Sequence, residues 1–451
     1  MDAQSKRIVL ANGWRTPFGH INRSLSLFKA DDLMEMTLRK VVSAAGIDPN
    51  LYEGAIIGWV GQGSHAPNIA RVACLRAGLP EKCVAFTEQV NCVSGLETVA
   101  SAARRILVGE GEIYIAGGTE SMSQMPYSIR GDRRVQGLRT LEDIKKNWDK
   151  LLSNPKIELG DCLMEGLVDP VKKLNMAATA EILAQIHGIT REEQDAYAVE
   201  SYRRAIEAIE KKSLVDHVFP VTVGTQTVLA DDENPRMREQ FVKDPSKLEK
   251  MTLLFNNEAF SIEDFYKNYK DELEGKTYRP GASQATVTPF NACPRSDGAC
   301  AVIVSTEAMA KKLGLRIQAE LIGWAFAGID PAQMGKSPAY STDMVLNKLK
   351  LKLEQMGVID LHEAFAAGCL AIFKIGQRQF KHPWQQLWKT RVVNPHGGSL
   401  ALGHPLAASG TRVILNVLST MSKNKSIKYG MAAACAAGGM GCSMVFRNYE
   451  G

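Results

Sequence analysis

The chain of 451 residues is predicted to adopt an α/β fold, on three observations. Short apolar strands alternate with amphipathic helical stretches through its first 120 residues. The alternation lapses across a charged middle block, then returns past Ala299. Strand–helix–strand alternation implies a parallel sheet covered by helices, since a parallel connection must cross over a face of the sheet. The length alone suggests about three structural units.

In chain order, Ile8–Ala11, Gly54–Val60, Val84–Phe86 and Glu112–Ala116 read as strands. Asp31–Ala45 and Leu96–Leu107 read as helices, the second with Leu96, Val99, Ala103, Ile106 and Leu107 on one face. From about 123 to 283 charge is dense and continuous apolar strands are few. A helix is clear at Arg191–Lys212, opened by a capping box at Thr190-Arg191-Glu192-Glu193. Phe260–Tyr278, aromatic and charged, reads as an insertion. The block lacks Gly/Ser-rich low complexity, so it reads as a lid rather than a linker. Beyond it, Cys300–Ser305 and Ile317–Gly323 read as strands, Thr342–Met356 as a helix, and Val358–Leu361 and Val392–Asn394 as strands. Tyr429–Cys435 and Cys442–Phe446 form two last strands around a Gly-rich turn. Both α/β blocks end a strand at a small-residue turn bearing Cys, a hint of structural duplication.

Composition excludes several classes. Hydrophobic residues at 45% and charged residues at 23% rule out a disordered, collagen-like or disulfide-scaffold chain. No apolar run approaches the length of a membrane span. A net charge of +5 is too mild to argue for nucleic acid. Basic residues do concentrate between Arg130 and Lys173. A solvated face is the plain reading. A phosphate-binding edge, a membrane-surface patch and a partner site are the alternatives. Nine cysteines without a C-x-x-C pair indicate neither a disulfide framework nor a zinc ribbon. Reduced thiols in a cytoplasmic compartment are the simplest expectation. Met1-Asp2-Ala3-Gln4 shows no signal or transit peptide, and the last residues are not a peroxisomal address.

Four motifs carry chemistry. In Asn91-Cys92-Val93-Ser94-Gly95-Leu96, a Cys lies on the turn between a strand and a helix. The helix N-terminus there favours thiolate, and its backbone N–H groups can hold an oxyanion. A small buried apolar residue is the plain alternative. In the stretch Asn394 to Pro405, Gly-Gly and Gly403-His404-Pro405 imply a tight turn that fixes a His by backbone. Neutral imidazole can deprotonate a thiol, though a structural His fits as well. Leu361-His362-Glu363-Ala364-Phe365-Ala366 follows a strand; a zincin would need His at Ala366. Cys435-Ala436-Ala437-Gly438-Gly439 places a thiol at a strand end where no side chain blocks a ligand. Neither a Walker lysine nor a dinucleotide fingerprint accompanies these glycines.

Together these motifs resemble the thiolase family over nearly the whole chain. Trp14-Arg15-Thr16-Pro17-Phe18-Gly19, Asn68-Ile69-Ala70-Arg71 and Gly117-Gly118-Thr119-Glu120-Ser121-Met122-Ser123 add to the match, in order. The resemblance implies a five-layered α-β-α-β-α fold of two similar halves. The N-terminal half would be 1–122 completed by 284–312, the loop domain 123–283, and the C-terminal half 313–451. It implies that Cys92 is the acylated nucleophile, that His404 activates it and stabilises an enolate oxygen, and that Cys435 is the second acid/base. Backbone N–H groups of Cys92 and Ala437 would form an oxyanion hole. His362 stands where many members have an Asn that holds a catalytic water.

Met176 and Met334 match substrate-lining methionines, with Phe365 beside them. Ala177 stands where the family usually has Gly. Cys293 falls where the family usually places a Ser that contacts the pantetheine arm. No metal and no cofactor are expected beyond CoA and acyl-CoA as substrates. His362, Ala436-Ala437 and Gly398-Ser399-Leu400 resemble the thiolase subunits of fatty-acid β-oxidation complexes. That points to 3-oxoacyl-CoA cleavage, a homodimer or homotetramer, a hydratase/dehydrogenase partner subunit and membrane contact through 130–173. An acetoacetyl-CoA-forming acetyltransferase is the alternative. A decarboxylating ketoacyl synthase would lack Cys435, and a non-catalytic scaffold would not need the full set of Cys92, His404 and Cys435. His396 has no assigned role.

Overall fold

The structure, a computed structural model, describes residues 6–131, 140–258 and 260–450. The principal strands are β1 (Ile8–Arg15), β2 (Gly54–Gly58), β3 (Val84–Glu88), β4 (Ile113–Ser121), β5 (Ser296–Thr306), β6 (Ile317–Gly328), β7 (Met356–Leu361), β8 (Tyr429–Ala436) and β9 (Met440–Asn448). They form one mixed sheet in the order β3-β2-β4-β5-β1-β6-β9-β8-β7.

The expectation of a parallel sheet holds only at its two ends. β2 runs parallel to β3 and β4, and β7 runs parallel to β8. Every other pairing along that path is antiparallel. One cause is the tight turn through Gly438 and Gly439, both at positive φ, which folds β8 back onto β9 as a hairpin. Val392–Asn394, expected as a strand, makes a single parallel bridge, Val393 to Ile359. With that bridge counted as a vestigial edge, the second half repeats the strand order and directions of the first. The hint of duplication thus has a structural counterpart.

Alternation along each strand sorts side chains into three cores. Ile8 and Leu10 of β1, Cys300, Val302 and Val304 of β5, and Ala432 and Ala434 of β8 face a central core. Val9, Ala11, Ala301 and Ile303 face an outer core under α1 (Ala30–Ala45). Met431 and Ala433 face the opposite outer core. The central core is filled by α2 (Ser94–Val108) and α7 (Leu406–Lys423), which pack on each other. The two halves of the sheet thus lie on either side of that helix pair, each with its own outer core, and the layers run helix, sheet, helix, sheet, helix.

Helix ends follow local chemistry. α1 stops at Gly46 and α2 at Gly109, both left-handed. Leu107, expected on the buried face of α2, is exposed. The helix expected at Thr342–Met356 lies earlier, as α5 (Ser337–Leu349). Pro338 sits in its first turn, and Lys350 at φ 54° ends it. Met356, expected in that helix, begins β7, which α6 (Ala366–Ile375) follows.

The middle block holds α3 (Met176–His187) and α4 (Arg191–Glu210), the latter with the expected capping box at Thr190. The aromatic insertion is packed: Phe265 is fully buried, its ring 4.9 Å from Phe255 and 4.7 Å from Tyr269. It shares a core with Ile182 and Leu183 of α3. Of the basic run, Arg133, Arg134 and Arg139 lie outside the described residues. Arg130 pairs with Glu158 and Glu165, and Lys172 with Glu272 and Asp330. Among the described residues, no helix is long and apolar enough to cross a membrane.

Candidate active site

Two helices aim their N-termini at one point. α2 starts two residues after Cys92, and α7 starts two residues after His404. They cross at Gly95 and Gly410. A Cβ on Gly410 would lie 2.6 Å from Leu96 N, and one on Gly95 would lie 2.7 Å from Ala407 O. No larger residue permits that approach. Gly403, at φ 110°, turns the chain into His404, and a Cβ there would strike Ser296 Oγ at 2.5 Å. His404 is pinned further by its N–H, 3.1 Å from Pro294 O and 3.2 Å from Ser296 Oγ.

These constraints place His404 Nε2 3.2 Å from Cys92 Sγ. His404 Nδ1 lies 2.7 Å from Ser409 Oγ. With the hydrogen on Nδ1 donated to Ser409, Nε2 presents its lone pair to the thiol. Cys92 keeps a partial opening to solvent, yet burial pushes its thiol up to about 11. The backbone N–H groups of Ala437 and of Cys92 itself pull the other way. Those are the two amides the sequence nominates for an oxyanion hole. Burial, with Arg412 nearby, lowers His404 to about 3. The resting pair is therefore thiol and neutral imidazole, not an ion pair.

Cys435, next to last in β8, is almost fully buried, and burial followed by Cys92 raises its thiol. His362 N–H donates to Ala433 O at 2.8 Å, so the His362 turn is tied to the same strand. The His362 and His404 rings lie 4.3 Å apart, tilted by 48°. Cys92, His362 and His404 bring ligand-type atoms within 4.8 Å of one another, a donor set that could also hold a soft metal ion.

Above this floor lies a cavity of about 460 Å³. Cys92, His404, Cys435, Ala437, Met176, Cys293, Met334 and Phe365 all line it. His362 lies behind, on a small hollow shared with Met334, Phe365 and Cys435. Cys293 N–H donates to Ala364 O at 3.0 Å, which seats residue 293 on the wall. Burial, then Cys92 and Cys435, raises the Cys293 thiol. The middle block adds Met164, Leu167, Leu254 and Phe255, which sequence reasoning did not nominate. No local pattern marks them, because they reach the cavity through tertiary folding. His396 lines no part of this cavity; its Nε2 lies 3.1 Å from Thr420 Oγ1.

Two motif glutamates turn out to be clamps. Glu363 accepts from Ser201 Oγ at 2.6 Å, Asn394 Nδ2 at 2.6 Å and Tyr197 Oη at 3.1 Å. It thereby ties α4 to the His404 loop. Glu120 accepts from the N–H groups of Val60, Gly61 and Ala407, and burial raises it to about 7.

Known proteins share this architecture. Residues 8–261 match the thiolase N-terminal domain and residues 315–448 the thiolase C-terminal domain. A probable acetyl-CoA acyltransferase of Staphylococcus aureus is 32% identical, over 98% of this chain and 100% of its own. An acetyl-CoA acetyltransferase of Pseudomonas aeruginosa is 33% identical, over 97% and 98%. The crystal structure of human mitochondrial 3-ketoacyl-CoA thiolase superposes with a TM-score of 0.81 at 30% identity, covering 98% of this chain and 99% of that one. That of a Bacillus anthracis acetyl-CoA acetyltransferase gives 0.81 at 28%, with the same coverage. Both family domains are thus present around the helix-tip cysteine–histidine pair, and the chain belongs to the thiolase family and is an acyltransferase.

Proposed function

We propose that the chain is a 3-oxoacyl-CoA thiolase, converting 3-oxoacyl-CoA and CoA into acetyl-CoA and an acyl-CoA two carbons shorter. The observation that carries this is the Cys92 Sγ–His404 Nε2 contact of 3.2 Å, on a cavity wall shared with Cys435. Neutral His404 takes the Cys92 proton as the sulfur attacks the 3-oxo carbon. The C2–C3 bond then breaks. The acyl group stays on Sγ, and the electron pair passes to C2 of the acetyl unit as an enolate. The His404 imidazolium faces the enolate oxygen, and the Cys435 thiol protonates C2. In the second half the Cys435 thiolate takes the proton of the CoA thiol. CoA sulfur attacks the acyl-enzyme, and the N–H groups of Cys92 and Ala437 hold the tetrahedral oxyanion. Cys92 leaves and recovers its proton from His404. Two thiols serve because one is acylated while the other moves protons.

The apolar wall of Met122, Met164, Leu167, Leu254 and Phe255 supports a substrate longer than four carbons. Residues 123–283 act in this reading as the cap over the site. The test is a thiolysis panel running from acetoacetyl-CoA to long-chain 3-oxoacyl-CoA, read by acetyl-CoA release. Cleavage of the longer substrates is expected; activity confined to the four-carbon substrate contradicts the reading and favours a condensing acetyltransferase. The same reading includes a homo-oligomer, a hydratase/dehydrogenase partner and surface contact with membrane through 130–173. Exposed Tyr127, Leu141 and Leu159 beside the basic run support that contact. Absence of pelleting with anionic liposomes at low salt contradicts it.

A further inference from the structure

His362 is held by a chain of hydrogen bonds whose direction can be worked out. Its ring is buried, with Nδ1 2.6 Å from Ser399 Oγ. Ser399 Oγ has a second neighbour, Arg412 Nη2, at 2.8 Å. Arg412 is fully buried and anchored through Nη1 to both oxygens of Asp360, at 2.9 and 2.8 Å. Asn416 Nδ2 donates to the same carboxylate at 2.8 Å. Asn416 is oriented in turn by His217 Nε2, 3.1 Å from its Oδ1.

A guanidinium only donates. Ser399 therefore accepts from Arg412. Among the described residues, the remaining partner for its hydroxyl hydrogen is His362 Nδ1. The alternative leaves a fully buried hydroxyl with an unpaired hydrogen, which costs its desolvation with nothing in return. Nδ1 is then an acceptor, and the ring hydrogen sits on Nε2. That atom is buried and has no hydrogen-bond partner among the described residues. It belongs to a ring tilted against that of His404, centroids 4.3 Å apart, in the group that brings ligand-type atoms within 4.8 Å of the reacting thiol.

We propose that Ser399 and Arg412 are positioning residues that lock His362 in the Nε2–H tautomer, as a fixed hydrogen-bond donor to the thioester oxygen of the acetyl unit. Burial, then His404 and Arg412, hold the imidazole well below its ordinary value, so the donor is neutral and keeps its proton. The two imidazoles divide the work. His404 offers a lone pair to Cys92 and then, as imidazolium, faces the enolate oxygen; His362 stays neutral and offers that same oxygen a second hydrogen. What the donor meets rests on the thiolase reading; the tautomer itself does not.

The test uses the full chain with 15N-labelled histidine, without substrate, at neutral pH. Two-bond proton–nitrogen correlations report which ring nitrogen carries hydrogen, and the His362 signal is the one lost in His362→Gln. Hydrogen on Nε2 is expected. Ser399→Ala should shift His362 toward the other tautomer and lower kcat about ten- to a hundredfold, with KM within about threefold. That loss is smaller than removing an oxyanion donor outright. Ser399→Thr, which keeps the hydroxyl, should retain the native tautomer. A native His362 bearing hydrogen on Nδ1, or a Ser399→Ala protein with an unchanged tautomer, overturns the proposal. An Nε2–H ring that responds to Ser399→Ala, in a protein that cleaves no 3-oxoacyl-CoA, keeps the lock and sinks the substrate reading.

Discussion

At the residue scale, the site runs on neutral groups. Burial pushes the Cys92 thiol up to about 11 and His404 down to about 3, so neither carries charge at neutral pH. Alkylation of Cys92 by iodoacetamide should therefore keep accelerating toward pH 11, as the thiolate fraction grows. A rate that levels off near pH 7 would reveal a preformed ion pair and contradict the assignment. Cys435→Ala should lower solvent exchange of the acetyl-CoA methyl hydrogens about 10²- to 10⁴-fold, the usual worth of a placed acid/base. Cys92, His404 and Cys435 were legible in the sequence because tight-turn residues flank each of them. Ser399, Ser409 and Arg412 were not. Arg412 lies fully buried within α7 and meets Asp360 across the fold, a pairing no local pattern encodes. The motif glutamates 120 and 363 were visible but unassigned, since their role is to gather distant backbone and hydroxyl donors.

At the scale of elements, two contacts set the geometry. The Gly95–Gly410 crossing lets α2 and α7 bring Cys92 and His404 together. Gly410→Ala places a Cβ 2.6 Å from Leu96 N, and overpacking of this kind costs about 1–3 kcal/mol. A lowered thermal midpoint together with slower Cys92 acylation is expected; unchanged values contradict the crossing as a constraint. The second contact is the buried pair Arg15–Asp232, at 2.7 Å, which ties β1 to the middle block. Asp232 also accepts from Phe18 N at 2.8 Å. Asp232→Ala strands a buried guanidinium, for which about 3–5 kcal/mol is the usual cost. Denaturant unfolding of the variant checks this. Arg15 belongs to the opening motif read from the sequence, but its partner lies 217 positions away. Motif reading finds such a residue without finding its role.

At the scale of the whole molecule, α/β layering was legible from alternating strands and helices, and the mixed direction of the sheet was not. Periodicity along a strand says which face is buried, not which neighbour it pairs with. Cavity-lining residues such as Phe255 and Met164 were hidden for the same reason. The nine free cysteines have a collective consequence. Burial raises Cys92 to about 11 and Cys300 to about 12, and raises Cys293, Cys369, Cys435 and Cys442 as well. A thiol raised in the folded state stabilises it fully below about pH 8.5, and that contribution is lost as pH climbs toward the folded value. Each such group costs about 1.4 kcal/mol per pH unit over that span. Cys83 and Lys336, both lowered, run the other way but are fewer. With reductant present, the thermal midpoint should fall steadily from pH 8.5 to 11; a flat profile contradicts this burial.

In the proposed reaction a shortened acyl group is carried on one sulfur, that of Cys92. Peptide mass spectrometry after quenching the chain with a long-chain 3-oxoacyl-CoA, with no CoA added, tests it most directly. An acyl adduct two carbons shorter than the substrate, on the peptide bearing Cys92 and absent from Cys92→Ala, is the predicted result. An adduct on Cys435 or Cys293 instead, or turnover on mixing with CoA while Cys92 stays unmodified, contradicts the account.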